Sequence, residues 1–402
     1  MLVTESVRQA GGEAIDSDRL SQDLRWLNRY PFRQTQAVFT PGEGLGTADL
    51  NLVSVENRPW RVYGGYANSG SPSTGLGRGY LGALLGLPRD GVVAYQFTAS
   101  PEFWSGQGHP QYLSHGASVT LPTAPRQAFE AQFDAVQTNE PVASFDVRLR
   151  TLYLNLGYRF AISNLFRFPG DLFIGAEASR QERTVGFGGV GVQNSAIGVY
   201  QAHLDWSDQS ADRLGRTAIN LSLHVSPGGI GDANSDAALL FYTLGRVRSA
   251  RYAYLDASGN RVFRLPGRWE ISSSVQARFA SAALPDSQRI GLGGPSLVRG
   301  YNLDDDAFDS GVVWRNELRG PPISLLPGRP RDQLSPYAFA DAAYGWVVGG
   351  PGSGHPTSVG VGADYRIGRA LDGGVLVAYA ISDAQDTRSG DMRVQARLTL
   401  SY

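Results

Sequence analysis

The chain has 402 residues, 36 basic and 37 acidic side chains, no cysteine and a mean hydropathy of −0.21. A net charge of −1 lacks the basic surplus of a nucleic-acid binder, and no apolar run of about 18 residues exists to form a helical membrane span. Composition leaves either a soluble multidomain protein or a large barrel, since a wall that faces lipid on one side and water on the other averages to the same hydropathy.

In chain order, the first 57 residues read as a small α/β unit. Leu20, Leu24 and Leu27 fall at helical spacing over residues 18–28, with Asp16 or Ser17 as the cap. Residues 35–40 and 48–56 alternate as two strands around Pro41-Gly42-Glu43-Gly44. From Arg58 the pattern becomes a succession of amphipathic strands. In residues 151–160, Leu152, Leu154, Leu156, Tyr158 and Phe160 share one face, and Thr151, Tyr153, Asn155 and Arg159 share the other. Trp269, Ile271, Val275, Ala277 and Phe279 repeat this against Glu270, Ser272, Ser274, Gln276 and Arg278. The strands are long and carry aromatics near their ends, as lipid-interface girdles would.

Counting such runs predicts about sixteen strands, an even number as bacterial barrels require. They cover 59–68, 79–88, 91–100, 111–121, 127–138, 147–161, 171–184, 195–208, 215–227, 249–264, 268–282, 311–319, 335–346, 357–367, 373–382 and 391–402. If residue 58 enters from the periplasm, even-numbered connections are periplasmic turns and odd-numbered ones are outer loops. The longest outer loops are then about 228–248 and 283–310. The expected fold is therefore an all-β membrane protein, a transmembrane antiparallel barrel over 58–402 behind a small α/β unit over 1–57.

Two motifs stand out. Gly291-Leu292-Gly293-Gly294-Pro295-Ser296-Leu297-Val298-Arg299-Gly300-Tyr301, in the second long loop, sets one guanidinium among small residues. Tyr337-Ala338-Phe339-Ala340-Asp341 places a carboxylate within a strand, on the face of two aromatics and opposite alanines. A charge facing lipid costs a few kcal/mol near the midplane, so Asp341 is expected to face the lumen. Arg315 and Glu317 are expected to face inward too, either as a wet ion pair on the wall or as part of the docking of the loop. Asp304, Asp305, Asp306 and Asp309 do not match a calcium loop and read as solvated.

Leu292-Gly293-Gly294, Val298-Arg299-Gly300-Tyr301 and Phe339-Ala340-Asp341 together resemble the outer-membrane polypeptide-transport barrels that carry POTRA domains. The resemblance implies that the loop folds back into the barrel and that Arg299 meets Asp341, with Val298, Gly300, Tyr301 and Phe339 around them. Ala343 departs from the family, which often has glycine after its Asp. The segment Pro41-Gly42, Gly46-Thr47-Ala48-Asp49-Leu50 and Arg58-Pro59-Trp60 resembles the seam between the last POTRA domain and the barrel in two-partner secretion translocators, the TpsB type. That branch exports haemolysins and adhesins. The implied partners are a secreted protein, unfolded in the periplasm, and outer-membrane lipid. Residues 1–57 would be a partial POTRA domain in the periplasm. Met1-Leu2-Val3-Thr4 opens without the regions of an export signal, so a truncated chain lacking its signal and first POTRA domain is expected. Leu398, Leu400 and Tyr402 end an alternating terminal strand that resembles the signal read by barrel-assembly machinery.

Catalysis finds little in the sequence. The five histidines lack close metal-ligand spacing, no nucleophile elbow appears, and the Gly186–Gly191 run sits outside a βαβ unit. No cofactor, metal or nucleic-acid partner is expected. Export of a partner protein is the leading function, with a barrel-assembly insertase or a passive porin as the alternatives.

Overall fold

The computed structural model describes residues 3–106, 108–166, 168–326 and 332–402. Sixteen long antiparallel strands close into a barrel. They are β1 Trp60–Ala67, β2 Arg78–Leu87, β3 Gly91–Ala99, β4 Tyr112–Ala124, β5 Gln127–Val142, β6 Phe145–Ala161, β7 Asp171–Phe187 and β8 Val190–Ala211. The circuit continues with β9 Gly215–Ser226, β10 Tyr252–Arg264, β11 Glu270–Ala280, β12 Ser310–Arg319, β13 Asp332–Trp346, β14 Thr357–Ile367, β15 Leu371–Ala380 and β16 Met392–Ser401. Each predicted strand has its counterpart. Alternation explains why: with a period of two, the residues that share a face choose lipid or lumen together, so register follows from pattern.

The outer face is greasy. Leu152, Leu154 and Leu156 on β6, Leu221 and Leu223 on β9, and Val394, Leu398 and Leu400 on β16 all lie exposed on it. Such an apolar skin belongs against hydrocarbon rather than water. Among the described residues no helix is long and apolar enough to cross a membrane; the strands do the crossing.

Two hairpins run further out than expected. The β5–β6 pair runs out to Val142↔Phe145 and the β7–β8 pair to Phe187↔Val190. The glycines at 188 and 189 therefore form a hairpin tip, which accounts for the run set aside as a nucleotide site. The loop about 228–248 also differs from a simple outer loop. It carries helix α2, Asp236–Tyr242, whose Leu239 and Tyr242 are buried with Ile197, Val199, Val247, Tyr252, Tyr254 and Leu284. This apolar cluster lies beside the barrel wall at the end from which the loop between β11 and β12 also starts.

Before the barrel stand helix α1, Ser17–Leu27, and a hairpin of Arg33–Pro41 with Ala48–Glu56. Asp16 caps α1 by accepting from the backbone N–H groups of Asp18 and Arg19 at 3.1 and 2.9 Å. Leu20 and Leu27 are buried. This unit grips one rim of the barrel. Arg33 forks onto Asp90 with two 2.9 Å bonds, Trp26 Nε1–H donates to Asp171 at 2.7 Å, and Arg369 donates to Asn57 at 2.8 Å. Those barrel partners sit in or beside even-numbered connections, so the turns assigned to one side by parity do gather on one rim. The loop containing Arg299 starts from the other.

The barrel closes where β16 meets β1, a ladder running only from Arg397↔Ala67 to Ser401↔Tyr63. Just past β1, Asn68 extends this seam with its side chain. Its Nδ2 donates to the Val394 carbonyl (2.8 Å) and its Oδ1 accepts from the Ala396 N–H (2.7 Å). The amide thus stands in for a missing backbone unit. Asn68→Ala is expected to weaken the seam by about 1–3 kcal/mol, two net hydrogen bonds. A lower temperature for loss of the compact gel-mobility form would report it; an unchanged temperature would remove this role.

Candidate functional site

The loop between β11 and β12 dips into the barrel. It enters and leaves as a two-rung ribbon, Ile290↔Phe308 and Gly291↔Ala307. Leu292, Val298, Tyr301 and Phe308 from the loop bury themselves against Val313 on β12, Ala343 on β13 and Ala380 on β15. An apolar cluster inside a polar bore holds the loop by removing its greasy side chains from luminal water. Ala343, the departure from the family pattern, supplies its methyl to this cluster.

At the tip sits Arg299, 3% exposed. Its Nε–H donates to Asp341 Oδ2 at 2.7 Å and its Nη2 to Oδ1 at 2.8 Å, a bidentate fork. Its Nη1 donates to Glu317 Oε2 at 2.8 Å. The guanidinium also lies over the Phe339 ring, 3.7 Å from the centroid. Asp341 is 1% exposed and accepts in addition from the Arg299 backbone N–H at 3.2 Å. One cation therefore faces two carboxylates, while Arg315 lies 3.9 Å from Asp341 and restores balance.

The face alternation of β13 explains the geometry. Phe339 and Asp341 are buried toward the loop, whereas Ala338 and Ala340 are exposed on the other face. Glu317 lies directly across the ladder from Phe339 and Arg315 from Asp341. The sequence left Arg315 and Glu317 as a possible mutual pair. Instead Glu317 pairs with Arg299 and Arg319, and Arg315 donates to the Ser296 carbonyl at 2.8 Å. From Glu317 a chain of ion pairs continues along the wall through Arg319, Asp364 and Arg397 to the closing strand. Beside it lies a cavity of about 460 Å³, lined by Ser296, Arg299, Asp364 and Arg397 among others.

Tyr301 is wholly buried, and its hydroxyl sits among the backbone groups of Thr357 and Ser382, within 2.8 and 2.7 Å of their carbonyl oxygens. Gly300 links it to Arg299 at φ +97°, where a Cβ would also meet the Ala378 methyl at 2.9 Å. Gly300→Ala is accordingly expected to loosen the loop by about 1–3 kcal/mol of backbone strain. A cysteine placed at exposed Ser296 in this cysteine-free chain should label faster with a maleimide in that variant; equal rates would refute it.

Asp304 is exposed and Asp306 half-buried, but for Asp305 and Asp309 the reading as solvated is corrected. Asp305 is 2% exposed and accepts from the N–H groups of Asn302 and Asp386, each at 2.7 Å. Asp309, fully buried, accepts from those of Leu284 and Val348, each at 2.9 Å. These acids tie the loop to its neighbours by satisfying backbone donors that water cannot reach. Burial, with the Asp305 carboxylate next to it, raises the pKa of Asp306. A run of four acids gives no sign of which will be buried. Leu398, Leu400 and Tyr402 are exposed on the outer face of β16.

A closed sixteen-stranded barrel with a greasy exterior and a loop docked in its bore is the architecture of a transmembrane β-barrel with an inward-folded loop. Residues 190–367 match the model of the family described as haemolysin secretion/activation protein ShlB/FhaC/HecB, a match that spans less than half of the chain. That is a family of secretion proteins rather than of enzymes. The fold is similar to CdiB from Escherichia coli (TM-score 0.77, 16% identity, all of this chain and 73% of that one). It is similar too to CdiB from Acinetobacter baumannii (0.70, 14%, all of this chain and 71% of that one). BamA from Haemophilus ducreyi lacking POTRA domains 1–3 aligns at 0.56, 12% identity, over all of this chain and 81% of that one. No curated protein sequence matches the chain.

Proposed function

We propose that the chain exports a partner protein through its lumen and that the Arg299 loop is the closure of that path at rest. Supporting this reading above all is the buried fork of Arg299 on Asp341, backed by Glu317 and Phe339. A guanidinium held by two carboxylates in a bore is a reversible latch. Its parts keep their charge when it opens, and luminal water is at hand to solvate them. The partner, unfolded in the periplasm and β-rich once folded, would first pair with an open edge of the hairpin in residues 1–57. That unit is the barrel-side part of a POTRA domain in this reading, and the rim it grips is the periplasmic one. Passage then follows withdrawal of the loop, and folding outside supplies direction where no nucleotide is present. Leu398, Leu400 and Tyr402 present the terminal strand to assembly machinery during biogenesis.

The short β16–β1 ladder favours a second reading, insertion of other barrels at that seam. Both are tested by producing the full-length protein with the product of a large reading frame beside its gene. Under export the partner reaches the medium only when the barrel is present. Equal release without the barrel, or a barrel that passes only small solutes, would sink the export reading.

A further inference from the structure

One patch of the luminal wall takes no part in docking the loop. His203 on β8 and His224 on β9 are register partners across antiparallel strands, so their side chains leave the wall together, directly opposite each other. Asp205, two residues along β8, shares that face. Ligand-capable atoms of the three lie within 4.8 Å of one another. Room for the His203 ring comes from Gly175, its partner on β7; a Cβ at Gly175 would meet His203 Nε2 at 2.5 Å.

Hydrogen bonding singles the patch out. His203 Nε2 is 3.0 Å from Asn155 Oδ1, and its Nδ1 is 3.1 Å from both carboxylate oxygens of Asp205. Both ring nitrogens face acceptors, yet a neutral imidazole has one N–H. An ion held by His203 Nδ1 and the Asp205 carboxylate, with Nε2–H turned to Asn155, would satisfy this arrangement. His224 Nδ1 is buried without a hydrogen-bond partner and points toward Glu177 Oε1 at 3.7 Å, while Tyr153 Oη–H donates to Glu177 at 2.8 Å. Metal-bound imidazoles turn their second N–H to a carboxylate or carbonyl oxygen. Asn155 stands in that place for His203, and Glu177 for His224.

We propose that His203, Asp205 and His224 bind a zinc-class divalent ion on the luminal wall, through two imidazoles and one carboxylate, with the fourth position open to water. The donor set suits a borderline transition metal; calcium and magnesium take oxygen ligands. Donors about 2.1 Å from a tetrahedral ion sit about 3.4 Å apart, so side-chain rotation closes the site while the strands stay in place. The competing account is packing alone. Phe173, His203, His224 and Tyr254 form a ladder of rings with centroids 5.2, 5.1 and 4.6 Å apart, and that role requires no metal affinity.

The test uses the tag-free full-length protein, purified in detergent, stripped with chelator and titrated with Co²⁺, then Zn²⁺. Binding of one Co²⁺ with the visible absorption of a four-coordinate site, displaced by Zn²⁺, is expected. His224→Phe keeps the ladder and removes a ligand, so affinity should fall at least tenfold; Asn155→Ala should cost about 10–100-fold. Heat-modifiable gel mobility verifies that each variant is folded. Absence of the cobalt spectrum in the unaltered protein overturns the proposal whatever the variants do. Undiminished binding in folded His224→Phe overturns it equally, because the ion would then sit elsewhere.

Discussion

Asp341→Ala is expected to free the loop from the barrel wall and to abolish the resting closure. The pair it breaks is buried on both sides, with side-chain exposures of 4% for Arg299 and 0% for Asp341. Removing one partner of a buried pair typically costs about 3–5 kcal/mol, because the other is left charged and unpaired. Here Glu317 still holds Arg299 at 2.8 Å, so the lower end of that range is expected. Arg299→Ala is cushioned in turn by Arg315, already 3.9 Å from Asp341. Arg299→Lys keeps the charge but loses the bidentate fork and the planar stack on Phe339, so it should behave closer to alanine than to arginine. Planar-bilayer recordings would read the effect as larger and more frequent openings, and a secretion assay as reduced export. Should both single alanine variants conduct and secrete as the parent does, the latch role fails. Because the two side chains act on one interaction, the double variant should cost much less than the sum.

Tyr301→Ala is the second large effect. The ring is wholly buried in the cluster with Leu292, Val298 and Phe308, and truncating a buried aromatic costs about 3–5 kcal/mol through lost transfer energy and the remaining cavity. Its hydroxyl also meets the backbone groups of Thr357 and Ser382. Tyr301→Phe isolates that part and should cost about 1–3 kcal/mol, the penalty of buried polar groups left without a partner. Maleimide labelling of Ser296→Cys should rise steeply in Tyr301→Ala and modestly in Tyr301→Phe. The reverse order would mean that the hydroxyl, rather than the ring, anchors the loop. Barrel unfolding itself should move little in either variant, since the sixteen-strand ladder is untouched.

The barrel was legible in the chain because a strand's period of two is local. Thr151 to Phe160 already separates its lipid face from its water face without any partner, and sixteen such runs allow few folds other than a closed wall. The side from which the Arg299 loop starts was readable by counting parity alone. Asp341 was readable as inward because a carboxylate in lipid is too costly. The family resemblance added its partner, Arg299.

What the tertiary structure decided is which polar groups lose water. Asp305 and Asp309 look like any acids of a solvated loop until their own loop and those between β13 and β14 and between β15 and β16 bring backbone N–H groups to them. Glu317 could have paired with Arg315; the depth at which the loop docks turns it to Arg299. His203 and His224 stand 21 positions apart in the chain, and only the β8–β9 register sets them face to face. Faces are written in local alternation, whereas burial, pairing and ligation depend on distances between segments that alternation does not encode.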